Sequence, residues 1–180
     1  MSINNYINNI MQQSLIELPL PKSGKITHIY QCGDIHIRRG DQNKARKNEY
    51  LTVFDNFFNM LVKSEPIINQ TAVIVVTGDI FHEKDVFHSS TIEMFHYFVS
   101  GLAKLAPTYL IQGNHDFRSD AASESDSIKC NTLVPRDNLV YLEHTGIYTA
   151  GNIGFGLVAE HDVLDPSTTS GKLVDELPVF

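Results

Sequence analysis

From residue 25 onward, apolar positions switch repeatedly between two periods. Residues 26–32 (Ile-Thr-His-Ile-Tyr-Gln-Cys) read as a strand that stops at Gly33. Residues 71–77 (Thr-Ala-Val-Ile-Val-Val-Thr) form a short, β-branched run of the kind buried on both faces of a sheet. Tyr109-Leu110-Ile111 is a third strand, stopping before Gly113. Between the first two, residues 44–63 place Leu51, Phe54, Phe58 and Leu61 on one helical face. Between the second and third, Ser90-x-x-Glu93 predicts a capping box. It opens a helix with Ile92, Phe95, Val99 and Leu102 inward, which stops before Pro107.

This strand–helix alternation predicts an α/β fold built on a parallel sheet with right-handed crossovers. Beyond Asp116 the character changes. Residues 119–127 read as a polar, acidic loop. Residues 139–142, 147–148 and 153–159 read as short strands separated by Gly turns, expected to be antiparallel, and residues 166–171 as a second polar loop. Residues 1–24 form a leader. Ile3, Ile7, Ile10 or Met11 and Leu15 recur at helical spacing, and Pro19 and Pro21 end that helix. A packing arm followed by one domain, residues 25–180, is the expected organisation.

Composition narrows the class without choosing a function. The 180 residues are 42% hydrophobic and 19% charged, a globular balance sufficient for one core. No apolar run approaches the ~18 residues of a membrane-spanning helix, and the Asn-rich start lacks the basic pattern of a signal or transit peptide. An intracellular protein, in cytoplasm or nucleus and not secreted, is expected. The net charge of −7 and pI near 5.5 argue mildly against a nucleic-acid binder held by overall charge. Cys32 and Cys130 make neither a C-x-x-C pair nor a disulfide framework, and Cys32 reads as a small buried filler.

The chemistry concentrates at the three strand ends: Gly33-Asp34-Ile35-His36, Gly78-Asp79-Ile80-Phe81-His82 and Gly113-Asn114-His115-Asp116. Ligands bind at the carboxyl edge of an open α/β sheet, where loops from neighbouring strands converge, and a Gly lets each loop turn sharply off the sheet. The Asp, His and Asn side chains make a mixed oxygen and nitrogen donor set suited to Mn, Fe or Zn. In Asp34-x-His36 alternate side chains face one way if the stretch stays extended, so both could hold one ion. Asp79 has two oxygens and could bridge two ions; Asn114 offers a carbonyl oxygen to the second; His115 is left to act on substrate. A single Asp or His after a strand is more often a cap than a ligand, but three clusters after Gly at three strand ends point to one shared metal site.

The three motifs GDIH, GDIFH and GNHD together resemble the first three signatures of the calcineurin-like metallophosphoesterases. The Phe81-His82 ending resembles the branch that contains the meiotic-recombination nuclease of double-strand-break repair and its bacterial and phage counterparts. The resemblance implies a metallophosphoesterase-type layered α/β sandwich with two divalent metal ions, usually Mn. Asp34 and His36 would bind the first ion, Asp79 would bridge, and Asn114 would bind the second. His115 would stand near the leaving oxygen, with Asp116 holding its imidazole by a hydrogen bond. His82 would touch the nucleic acid or orient a ligand; a loop histidine satisfied by backbone is its alternative. DNA as substrate, a coiled-coil ATPase of the chromosome-maintenance type as partner, and a homodimer are implied by the resemblance alone. A small-molecule phosphoesterase and a non-catalytic binding module on the same fold are the alternatives.

A basic stretch follows the first cluster: Arg38, Arg39, Lys44, Arg46 and Lys47 against Asp41 and Glu49. It could neutralise the phosphates of a passing strand, or be a solvated helix start. His28 and His96 read as packed residues and His88 as a helix cap or solvent-facing group. His144 and His161 lack the Gly-His and Gly-His-x-His context of the later ligands in the resembled family. Those later segments do not occur in this sequence. The resemblance therefore implies a domain whose C-terminal portion is missing, and weak activity or none for these 180 residues alone.

Overall fold

The computed structural model describes residues 16–39, 44–83, 88–120, 123–132 and 137–159. In chain order the elements are β1 (Ile16–Glu17), β2 (His28–Cys32), α1 (Lys44–Leu61), α2 (Glu65–Ile68), β3 (Ala72–Thr77), α3 (Ser89–Leu105), β4 (Thr108–Ile111), β5 (Phe117–Asp120), β6 (Ser123–Asp126), α4 (Ser127–Thr132), β7 (Leu139–Tyr141), β8 (Gly146–Ala150) and β9 (Ile153–Leu157).

Side chains on a strand alternate between faces, and β3 is apolar on both. Ala72, Ile74 and Val76 pack with α1 and α3 through Phe54, Leu61, Phe95 and Phe98. Val73 and Val75 pack the other way, with Leu18, Ile26, Tyr109, Tyr148 and Ala150. The result is three layers: helices, a parallel sheet in the order β2-β3-β4-β7, and a second sheet in the order β1-β8-β9. Strands β8 and β9 form a hairpin around Gly151 and Asn152, and β1 pairs parallel to β8 through Ile16↔Tyr148. The layered α/β sandwich expected from the sequence is the fold observed.

Several local expectations are corrected. Strand β7 is not antiparallel: it joins the main sheet parallel to β4, with Thr108 opposite Leu139. The long connection from Ile111 that a parallel crossover requires carries β5, β6 and a helix, α4. The polar stretch after Asp116 is not a plain loop, because β5 and β6 pair as a hairpin within it. Helix α3 starts at Ser89 with His88 at the N-cap position and no side-chain cap bond. Ser90 is buried in its first turn and Glu93 forms an ion pair with Lys47 of α1, so the expected capping box is absent. His28 is exposed, not packed, with Nδ1 3.0 Å from the Thr27 hydroxyl. The predicted helix of residues 3–15, the 166–171 loop and His161 lie outside the described residues.

The segment before Lys25 is tied to the sandwich by the β1–β8 pairing, by buried Leu18 and by a hydrogen bond from Tyr109. Tyr109 is fully buried between the sheets, meets Phe155 edge-on at 5.4 Å, and donates its hydroxyl to the Pro19 carbonyl at 2.6 Å. Burial pushes this phenol up to about 12. Tyr109→Phe removes the hydroxyl and leaves the Pro19 carbonyl short of a donor. A loss of about 1–2 kcal/mol in urea unfolding is expected, with the m-value unchanged.

Candidate metal centre

Parallel strands place their carboxyl ends side by side, so the loops after Cys32, Thr77 and Ile111 emerge together. Backbone bonds then zip the first two loops. Asp34 N–H donates to Gly78 (3.2 Å), His36 N–H to Asp79 (2.9 Å), Ile37 N–H to Ile80 (2.7 Å), and His82 N–H back to Ile37 (3.2 Å). This pairing forces the chain away from the extended form expected for Asp34-x-His36. Asp34, His36 and Asp79 have φ of 53°, 47° and 51°, in the left-handed region that costs a non-glycine residue energy. The glycines serve a purpose beyond turning. Gly78 has φ 82°, and a Cβ there would overlap the Gly113 amide; a Cβ at Gly113 would overlap the Asp79 carboxylate. Close approach of the loops, more than turning, is what excludes a side chain.

Asp116 is the buried tie between the second and third loops. It is fully buried, and its carboxylate accepts from Ile80 N–H (3.0 Å), Phe81 N–H (3.0 Å) and Gly113 N–H (3.0 Å). Burial pushes its carboxyl above the usual range, against the pull of those donors toward the charged form. This corrects the role expected for Asp116: its oxygens hold backbone and do not orient the His115 imidazole. His115 is placed instead by its Nδ1, 3.3 Å from the His82 carbonyl, and by its backbone N–H, which donates to Asp79 Oδ1 at 2.9 Å. A carbonyl can only accept, so Nδ1 is the donor in that contact and Nε2 lies outside it.

Around this frame, His36, Asp79 and His115 each offer a donor atom within 4.8 Å of the others'. The His36 and His115 rings meet edge-on at 4.7 Å. Asp34 stands beside the trio, its Oδ1 3.8 Å from His36 Nε2, with a side chain 86% exposed. The Asn114 carboxamide oxygen faces the Asp79 carboxylate, an arrangement that a shared cation would reconcile; turned over, its nitrogen would lie 3.1 Å and 3.2 Å from the two oxygens. His82 completes the cluster, its ring 5.7 Å from His36 and stacked 6.1 Å from His115. Burial, Arg38, His36 and His115 hold the His82 imidazole below the usual histidine range, which Glu83 only partly offsets.

A divalent ion fits these residues. The donor set mixes carboxylate and imidazole, and the Nδ1 atoms of His36 and His82 are buried without a hydrogen-bond partner. His115 is the third member of that grouping, within reach of an ion and of a substrate group beside it.

One positioning residue carries no sequence signal beyond being an aromatic near an apolar helix face. Tyr50 of α1 donates its hydroxyl to the His36 carbonyl (2.7 Å) and accepts from Arg38 N–H (3.2 Å), clamping the strained turn. In the basic stretch, Lys47 is neutralised by Glu93, Arg38 is exposed, Arg39 is half-buried and Arg46 is exposed. The Lys44 side chain lies outside the described residues. His144 is exposed in the β7–β8 turn, its Nε2 3.8 Å from Glu143.

The profile of the calcineurin-like phosphoesterase family matches residues 27–173. An uncharacterized protein of Acanthamoeba polyphaga mimivirus, R555, is 34% identical over 154 residues, covering 84% of this chain and 11% of that protein. The 244L protein of Invertebrate iridescent virus 6, named provisionally as a phosphoesterase, is 25% identical over 130 residues, covering 72% of this chain and 43% of its own. The chain thus spans about a tenth of one of these relatives and less than half of the other.

Three outcomes are expected. Asp116→Asn sets an amide NH2 against backbone donors and should cost about 3 kcal/mol in thermal or urea unfolding, far above a surface Asp→Asn. Burial pushes the Cys32 thiol from 9.0 to about 11. The folded state therefore holds that proton more tightly than the unfolded chain, and stability should fall as pH rises from about 9 to about 11. Iodoacetamide should label exposed Cys130 first and reach Cys32 only near the top of that window, followed by peptide mass mapping.

Proposed function

Because the chain belongs to the calcineurin-like phosphoesterase family, we propose that it hydrolyses phosphodiester bonds with bound divalent metal ions, Mn2+ being the expected metal and DNA the expected substrate. The observation that carries the reading is the convergence of His36, Asp79 and His115 donor atoms within 4.8 Å at three adjacent strand ends. Bound divalent ions, ~3.5–4 Å apart in two-metal sites, polarise the phosphate and make water a nucleophile near neutral pH. The chain's own groups do the rest. Asp79, with two oxygens, faces both His36 and Asn114 and suits a bridging position. Asp34 and His36 sit on one side, and Asn114, its carboxamide oxygen toward Asp79, on the other. His115, with Nδ1 against the His82 carbonyl, presents Nε2 to move a proton at the leaving oxygen.

The nuclease branch of double-strand-break repair is supported by His82, the residue that distinguishes that resemblance, lying in the cluster. One observation favours a small phosphoester instead: Lys47, expected to meet a phosphate backbone, is neutralised by Glu93. A coiled-coil ATPase partner and a homodimer belong to the nuclease reading and stand or fall with it.

The test is Mn2+-dependent cleavage of single-stranded DNA beside a chromogenic phosphodiester, with the chain in the longest form its reading frame encodes. Both activities should require metal. Asp79→Asn should lower both by more than the roughly 10–100-fold that loss of an outer partner costs. His82→Ala should lose DNA cleavage and spare the small ester. Hydrolysis in chelator, or DNA cleavage untouched by His82→Ala, would count against the reading.

A further inference from the structure

An open cavity of about 460 Å3 lies between the end of β2 and helix α1. Its size falls within the roughly 300–1,000 Å3 of small-molecule sites. Its walls are aromatic: Tyr50, Phe54 and Phe57 from α1 and Phe98 from α3. The Tyr50 and Phe54 rings are 5.9 Å apart and tilted by 40°, and Phe54 and Phe98 are 4.6 Å apart and tilted by 36°. Val53 lines the mouth at 57% exposure, and Arg46 and Glu49 stand on its rim. Apolar surface left open to water costs roughly 25 cal/mol per Å2, so such an opening is a site for an occupant more than a packing feature.

Two residues join this cavity to the metal centre. Asp34 lines it and lies 3.8 Å from His36. Tyr50 forms part of its wall and holds the His36 carbonyl through its hydroxyl at 2.7 Å. A group entering the cavity is therefore one short step from a phosphate at the strand ends. We propose that the cavity takes the flat aromatic base of a nucleotide whose phosphate lies at the metal centre, and so acts as a base subsite of the substrate. Faces of Tyr50 and Phe57 offer stacking that tolerates any base, worth about 1–3 kcal/mol per base. The inference rests on the phosphoester reading above and adds the part of the substrate that reading leaves open.

The experiment is calorimetric titration of the full chain with thymidine 5′-monophosphate and with inorganic phosphate, both in Mn2+, with Phe57 ring resonances followed by NMR. The nucleotide should bind about 10-fold tighter than phosphate and shift the Phe57 ring, and phosphate alone should not. Val53→Trp fills the mouth from an exposed position; it should abolish the nucleotide's advantage and leave phosphate affinity unchanged. Met60→Trp, exposed on the same helix but away from the cavity, should keep the advantage. Equal affinity for the two probes, an advantage that survives Val53→Trp, or an unmoved Phe57 ring would overturn the base subsite while phosphate binding upheld the phosphoester reading. Failure of both probes and of Mn2+ itself would overturn both.

Discussion

The arrangement of the strand ends depends on one buried carboxylate. Asp116 receives N–H groups from Ile80, Phe81 and Gly113, and thereby ties the loop after β3 to the loop after β4. Its own carbonyl accepts from Ser127 N–H at 2.8 Å, which carries the tie on to α4. A buried carboxylate without those donors would be far too costly to keep, and the donors without it would be orphaned backbone groups. Each side of the bargain enforces the other, and the site inherits its geometry from that reciprocity.

On this frame the remaining constraints are steric. Three chemistry-bearing residues, Asp34, His36 and Asp79, hold left-handed backbone that costs of order 1–3 kcal/mol each. They are kept there by the inter-loop bonds, by the Tyr50 clamp on His36, and by glycines at 78 and 113 that allow the second and third loops to touch. The layers behind supply the rigidity. Strand β3, buried on both faces, fixes Asp79 at the centre of the sheet, between His36 from the β2 end and His115 from the β4 end.

Much of this was legible in the residues because it is local. A β-branched run such as 71–77 has few alternatives to a buried strand, and a Gly-Asp or Gly-Asn step at its end announces a tight loop with a donor. What was not legible depends on partners that have no sequence identity or lie far away. Asp116 binds backbone N–H groups, which every residue has, so the neighbouring His115 looked like its natural partner. Glu93 resembled a capping-box acid because Lys47, its partner on another helix, lies 46 residues away. Leu139-Val140-Tyr141 gives no sign of strand direction, which is set by the crossover that precedes it. Tyr50 offers only an aromatic on a helix; that its hydroxyl reaches the His36 carbonyl follows from how α1 lies against β2.

The central claim is that these strand ends form a divalent metal centre. The most direct measurement is electron paramagnetic resonance of Mn2+ added to the protein, read for hyperfine coupling from imidazole nitrogen. The account predicts nitrogen coupling in the wild-type protein, with a component lost in His36→Ala and unaltered in His144→Ala. A spectrum of fully hydrated Mn2+ that the protein leaves unchanged, or a coupling indifferent to His36, would contradict it.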